Sequence, residues 1–189
     1  MRKLSVRDLV EDVYNSLAAK TYLSALSLAL TLPDIMAQIE YPELKGQGNV
    51  GNRYKRWINE YYVSENPNKG KHPESETTVA LEGLMDKFDG EFFYDLRCSF
   101  LHDGSNDVSK RISDLNFELS FDEGNLTTVW GYPGYQPYQK NHVLSVPTFC
   151  DRICAITEHL LDKWKDDPEK QECLEKYGIK LSCVDNPHQ

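Results

Sequence analysis

The chain lacks any apolar run long enough to cross a bilayer as a helix. The longest, Leu23 to Leu32, is about half of the roughly 20 residues a span requires. It also lacks a surplus of positive charge: 21 Lys and Arg stand against 30 Asp and Glu, for a net charge of −9. Non-specific affinity for nucleic acid comes from neutralising phosphates, so a broad basic face is excluded and any contact with RNA or DNA must be local. Cysteine is scarce and odd in number, five in all. No apolar leader follows Met1, Arg2 and Lys3. The expectation is therefore reduced thiols in a cytoplasmic protein with no membrane association. No Ser-His-Asp signature, P-loop or metalloprotease helix motif is present, and no segment repeats.

What is there is the composition of a globular protein, 40% hydrophobic and 27% charged over 189 residues. That length suits one domain with a sizeable core. We expect it over residues 1–180, with 181–189 as a loose tail.

Hydrophobic periodicity predicts a mainly α fold. Residues 5–17 place Val6, Leu9, Val10, Val13 and Leu17 on one face behind Ser5 as N-cap. Residues 18–31 are apolar almost all round and read as a central helix, continuous with the first or just after it. Pro33 suits the first turn of a third helix over 33–40. Further helices are expected over 53–63, 77–87, 90–102, from Pro147 to about Lys165, and over 168–177. The stretch 64–76 is polar and reads as a loop. Residues 116–121 and 126–130 alternate apolar and polar around "DEGN", which predicts a β-hairpin inserted between helices.

Three patterns invite a chemical reading. "GQGNVG", Gly46 to Gly51, spells the G-x-G-x-x-G of dinucleotide sites, which requires a strand before it and a helix after it. Cys150 and Cys154 share a helix face at i, i+4, but no second pair accompanies them to complete the four ligands of a zinc site. Small buried residues are the simpler account, and neither a metal nor a cofactor is expected. Trp130, Tyr132, Tyr135 and Tyr138 enrich one loop in aromatics. Tyr132 and Tyr135 are candidates for stacking on unpaired bases.

The fourth pattern is "FFYDLRCSFLHDG", Phe92 to Gly104. At about 100° per residue, Phe92, Phe93, Tyr94, Leu96, Phe100 and Leu101 share one broad arc, and Arg97 falls inside it. A guanidinium on a buried face must be paired or must line a wet pocket. Glu11, Asp34 and Glu60 are the candidate carboxylate partners. His102 lies about 140° away on a straight helix, so the two side chains meet only through a helix break or across a two-fold axis. A second arginine and histidine, Arg152 and His159, share one face of the C-terminal helix and read as a boundary of its apolar stripe.

Arg97-Cys-Ser-Phe-Leu-His102 is an R-x4-H match at the end of a helix, and with its flanks it resembles the HEPN superfamily of helical-bundle domains. The resemblance covers about residues 90–104. It implies a HEPN-like bundle of four or more helices and a homodimer. It also implies a metal-free RNA-cleaving site shared between subunits, of the kind found in toxin and antiviral-defence ribonucleases. In that reading Arg97 holds the scissile phosphate, and His102 moves the proton of the attacking 2′-hydroxyl or of the leaving group. Cys98 stands where active members often carry asparagine, and Ser99 offers a hydroxyl instead. The competing expectation is a non-catalytic dimeric module that binds a nucleotide or a protein partner, an antitoxin-like protein among the candidates.

Overall fold

The computed structural model describes residues 2–64, 88–105, 115–122, 127–130, 140–177 and 179–181. It is mainly helical. Helix α1 (Val6–Ala18) opens with a reciprocal capping box: Ser5 Oγ accepts from Asp8 N–H, and the Asp8 carboxylate accepts from Ser5 N–H. The chain then turns through Lys20, whose φ of +57° separates α1 from α2 (Tyr22–Ala29). The two helices are therefore not continuous. After Leu30 and Thr31 comes α3 (Leu32–Glu40), with Pro33 in its first turn. Contrary to the expectation from Leu23 to Leu32 alone, the helical run Tyr22–Glu40, 19 residues, is long and apolar enough by length and composition alone to cross a membrane. Half of its most apolar window is buried inside the fold, as in the core helix of a packed domain.

Helix α4 (Val50–Trp57) widens into a π-helical segment, Ile58–Val63. Helix α5 (Gly90–Cys98) does the same over Ser99–Asp103. Helix α6 (Val146–Lys163) is the longest, and α7 (Pro168–Lys176) follows it behind Asp167 as N-cap. The expected helix over 77–87 lies outside the described residues.

The core is shared by α1 to α6. Val10, Val13, Leu26, Leu30, Met36, Ile39, Trp57, Leu96 and Ile153 are among its buried side chains. An aromatic cluster joins three elements at its centre. Phe93 of α5 stacks on Phe149 of α6 at 5.1 Å and 11°, and Tyr62 meets both edge-on at 5.0 and 5.5 Å. Cys150 and Cys154 are buried in the same core, and among the described residues no cluster of metal ligands occurs.

The strands correct one expectation. Strand β2 (Leu115–Ser120) and strand β3 (Thr127–Trp130) do not pair with each other. Strand β4 (Lys140–Ser145) lies between them, parallel to β2 and antiparallel to β3. Alternation marks each strand but does not name its neighbour, and Glu123 to Asn125 of "DEGN" lie outside the described residues. Strand β4 feeds directly into α6: Ser145 Oγ donates to the Asp122 carbonyl at 2.7 Å and accepts from Thr148 N–H at 3.4 Å, capping the helix. A second, two-stranded sheet pairs β1 (Arg2–Leu4) antiparallel with β5 (Ile179–Leu181). Residues 182–189 of the expected tail lie outside the described residues.

Helices α4 and α5 run antiparallel at close range. A Cβ on Gly90 would stand 2.3 Å from the Lys55 carbonyl oxygen, and one on Gly51 would stand 3.2 Å from the Tyr94 ring. Gly90 N–H also donates to Asn59 Oδ1 at 2.7 Å, and Lys55 forms an ion pair with Glu91. Gly90→Ala forces backbone against backbone, and we expect a loss of about 1–3 kcal/mol, read as a lowered midpoint in chemical denaturation.

The buried thiols set an alkaline limit. Burial is the main cause that raises Cys154 from 9.0 to about 12, and burial likewise pushes Cys150 and the phenols of Tyr54 and Tyr62 upward. Each group is neutral when protonated and holds its proton more tightly in the folded chain. Its stabilising contribution is therefore complete below the unfolded pKa and is lost as pH rises through the folded one. Thermal melts should hold steady up to about pH 9 and fall between pH 9 and 12.

Candidate functional site

The segment that carries the R-x4-H pattern is built from its start. Asp89 caps α5 by accepting from Phe92 N–H at 2.9 Å. Phe92, Phe93 and Leu96 bury one face of the helix. At Ser99 the helix widens to the i→i+5 pattern, and Gly104 ends it in the left-handed region with φ of +64°. Gly104 and Ser105 N–H both donate to the Ser99 carbonyl. A π-turn takes more residues per turn than an α-helix, so the angle between Arg97 and His102 is smaller than equal α-helical steps give. Of the two routes the sequence left open, a helix break or a two-fold axis, the chain shows a widening of the helix before Gly104. Even so, no hydrogen bond or ion pair joins Arg97 to His102 within one chain among the described residues. His102 is exposed, and Ser99 and Arg97 are half-buried. Tyr132 and Tyr135 lie outside the described residues.

None of Glu11, Asp34 and Glu60 pairs with Arg97. Asp34 is held by Arg53 at 2.7 Å, and Glu60 accepts from Tyr41 Oη at 2.7 Å with Arg56 Nε at 3.6 Å. Arg97 lies over the Tyr54 ring instead, with Cζ 5.7 Å from its centroid. Its Nε is buried without a hydrogen-bond partner. The Tyr54 hydroxyl is also buried without a partner. Burial drives the Tyr54 phenol upward, and the Arg97 charge acts in the opposite sense. Tyr94, whose ring is 5.7 Å from that of Tyr54, is raised as well, by burial first and by the Cys98 thiol second. Arg97, Tyr54, Tyr94 and Cys98 thus form one cluster at the α4–α5 contact. Its unmet guanidinium Nε suits an anionic ligand.

Sequence reasoning missed the arginine that does sit in the core. Arg53, 5% exposed, bonds Asp34 and reaches back to the carbonyls of Leu44 at 3.3 Å and Gly46 at 2.9 Å. Its position in a helix straight after a glycine-rich loop was the available signal. The loop itself is not a dinucleotide motif. Helix α3 and a 3₁₀ turn, Pro42–Leu44, precede Gly46 where a strand would be required. Arg152 is likewise structural: it lies over the Tyr62 ring at 4.5 Å and donates to the Tyr62 carbonyl, while His159 is exposed.

Comparison of the chain with protein-family models, with curated proteins and with solved structures found no match.

The two arginines should respond in opposite ways to loss of charge. Arg53→Met strands Asp34 and two loop carbonyls, and we expect a loss of about 3 kcal/mol. Arg97→Met removes a guanidinium with no carboxylate partner and should leave stability within about 1 kcal/mol. Paired urea titrations check both.

Proposed function

We propose that this chain is a HEPN-like, metal-independent endoribonuclease of the toxin or antiviral-defence type, working as a cytoplasmic homodimer. The observation that carries the reading is the Arg97 guanidinium. It is half-buried beside Tyr54, it has no carboxylate partner among the described residues, and one of its nitrogens is unmet. A cation so placed is suited to a phosphate. Arg97 binds the scissile phosphodiester and offsets the charge that gathers on its oxygens during attack. His102, exposed at the helix end, takes the proton of the 2′-hydroxyl as that oxygen attacks phosphorus, or gives one to the departing 5′-oxygen. Ser99 lies between them in sequence and adds a hydroxyl to the same turn. Since Arg97 and His102 do not meet within one chain, the working pair is drawn from two copies facing each other.

A second reading is a non-catalytic dimeric module that holds a nucleotide or an antitoxin-like protein partner on the same face. Cys98 in place of a polar residue and the net charge of −9 favour it.

The test is purified protein incubated with mixed RNAs in excess chelator. Cleavage is expected, with Arg97→Ala and His102→Ala each lowering it by about 100-fold or more at unchanged melting temperature. A sizing column should show a dimer for all three proteins. Intact RNA, together with a dimer that Arg97→Ala disrupts, would favour the binding module.

A further inference from the structure

The glycine-rich loop loses its dinucleotide role but gains a neighbour. The contacts Gly51 to Tyr94 and Gly90 to Lys55 fix an antiparallel register between α4 and α5. One end of α5 therefore lies level with the beginning of α4. Arg97 sits one turn beyond Tyr94 in that direction. By that register it falls level with the turn in which Gly46 to Asn49 lead into α4. We propose that this turn, the Arg97 guanidinium and the Tyr54 hydroxyl together form a seat for a phosphate group. The proposal rests on Arg97 acting as an anion ligand, as in the ribonuclease reading, and adds two partners that the R-x4-H pattern does not contain.

Three observations converge on that seat. First, α4 begins without a side-chain cap: Asn49 makes no side-chain hydrogen bond to the first turn, and of that turn's N–H groups Val50 alone is taken up by the preceding 3₁₀ turn, donating to the Gln47 carbonyl. The first N–H groups of a helix lack intrahelical partners, and with the helix dipole they favour a negative charge. Second, Tyr54 lies one turn inside α4. Side chains on a helix lean toward its N-terminus, so Tyr54 leans toward this turn. Its hydroxyl is fully buried and unpartnered. Third, Arg97 Nε, close to the same ring, is a second buried donor without an acceptor. Buried polar groups are nearly always satisfied, and one acceptor shared between the facing helices would satisfy both of these donors. Asp34, whose charge acts on both Tyr54 and Tyr94, is already engaged by Arg53. The Trp57 indole N–H is a third unpartnered donor, but it lies a turn further along α4 and is no part of the seat.

The ligand class follows from the donors. A guanidinium, a phenol and a helix N-terminus all donate, and two of the three favour negative charge. A tetrahedral oxyanion presents several acceptor oxygens to such a set, whereas a cation or a neutral carbonyl does not. Gly48 borders the seat, and a Cβ placed on it would meet nothing within 4 Å, so the turn is open to an incoming group.

Inorganic phosphate titrated into the full-length chain by calorimetry tests this. Tyr54→Phe keeps the ring and removes only the hydroxyl. It should weaken phosphate binding about fivefold, while the ligand-free melting temperature stays equal or rises because an unmet buried hydroxyl is gone. Gly48→Asp sets a carboxylate at the mouth of the turn and should weaken binding about tenfold or more, and Gly48→Asn should restore it. Failure of the wild type to bind phosphate, or unchanged affinity in both variants, overturns the seat. The two ideas separate cleanly. RNA cleavage that needs Arg97 but keeps its KM in Tyr54→Phe and Gly48→Asp leaves the ribonuclease and removes the seat. Phosphate binding sensitive to both variants in a protein that cuts no RNA does the reverse.

Discussion

The close passage of α5 over α4 is the constraint on which the candidate site depends. Gly90 has no side chain, so the start of α5 lies directly on the backbone at Lys55. That single contact sets the separation of the two helices. Gly51 under the Tyr94 ring sets their register, and the Lys55–Glu91 ion pair and the Asn59 hydrogen bond hold it. Everything downstream on α5 inherits its position from this crossing. Phe93 is delivered to Phe149 and Tyr62 in the core, and Arg97 to the rim of Tyr54.

The helices were legible because a buried face at helical spacing leaves a strong trace. Ser5 and Asp89 mark helix starts, and Gly104 marks an end, each by a backbone requirement that few residues satisfy. Strand partners were not legible. Alternation in 116–121 reports one face buried and one not, and it says nothing about whether the neighbouring strand is 127–130 or 140–145. The short strands at the two ends carry too few residues for any pattern to show. The arginines illustrate a further limit. Arg53 and Arg97 are both flanked by aromatics on amphipathic helices, and only the fold reveals that Asp34 lies against one and not the other.

The π-helical segment after Cys98 limits how far rotation by equal steps can be carried toward His102. Counting at about 100° per residue holds to Ser99 and then drifts, because the ring closed by each hydrogen bond grows by one residue. Nothing in "SFLHD" announces such a turn. The same widening follows α4 at Ile58–Val63, where Arg152 seals the end by taking the Tyr62 carbonyl and covering its ring. The segment after α5 is closed by Gly104 and carries the exposed histidine. One widened turn is clasped by the core, while the other ends at the surface.

The pairing of Arg2–Leu4 with Ile179–Leu181 joins the beginning of the fold to its last described strand. A fold whose first and last described strands lie side by side is, in its contacts, close to a ring. The order in which its helices occur along the sequence is then partly independent of how they pack. Joining these two strands directly and opening the chain at an exposed turn elsewhere would keep the α4–α5 crossing and the aromatic cluster intact.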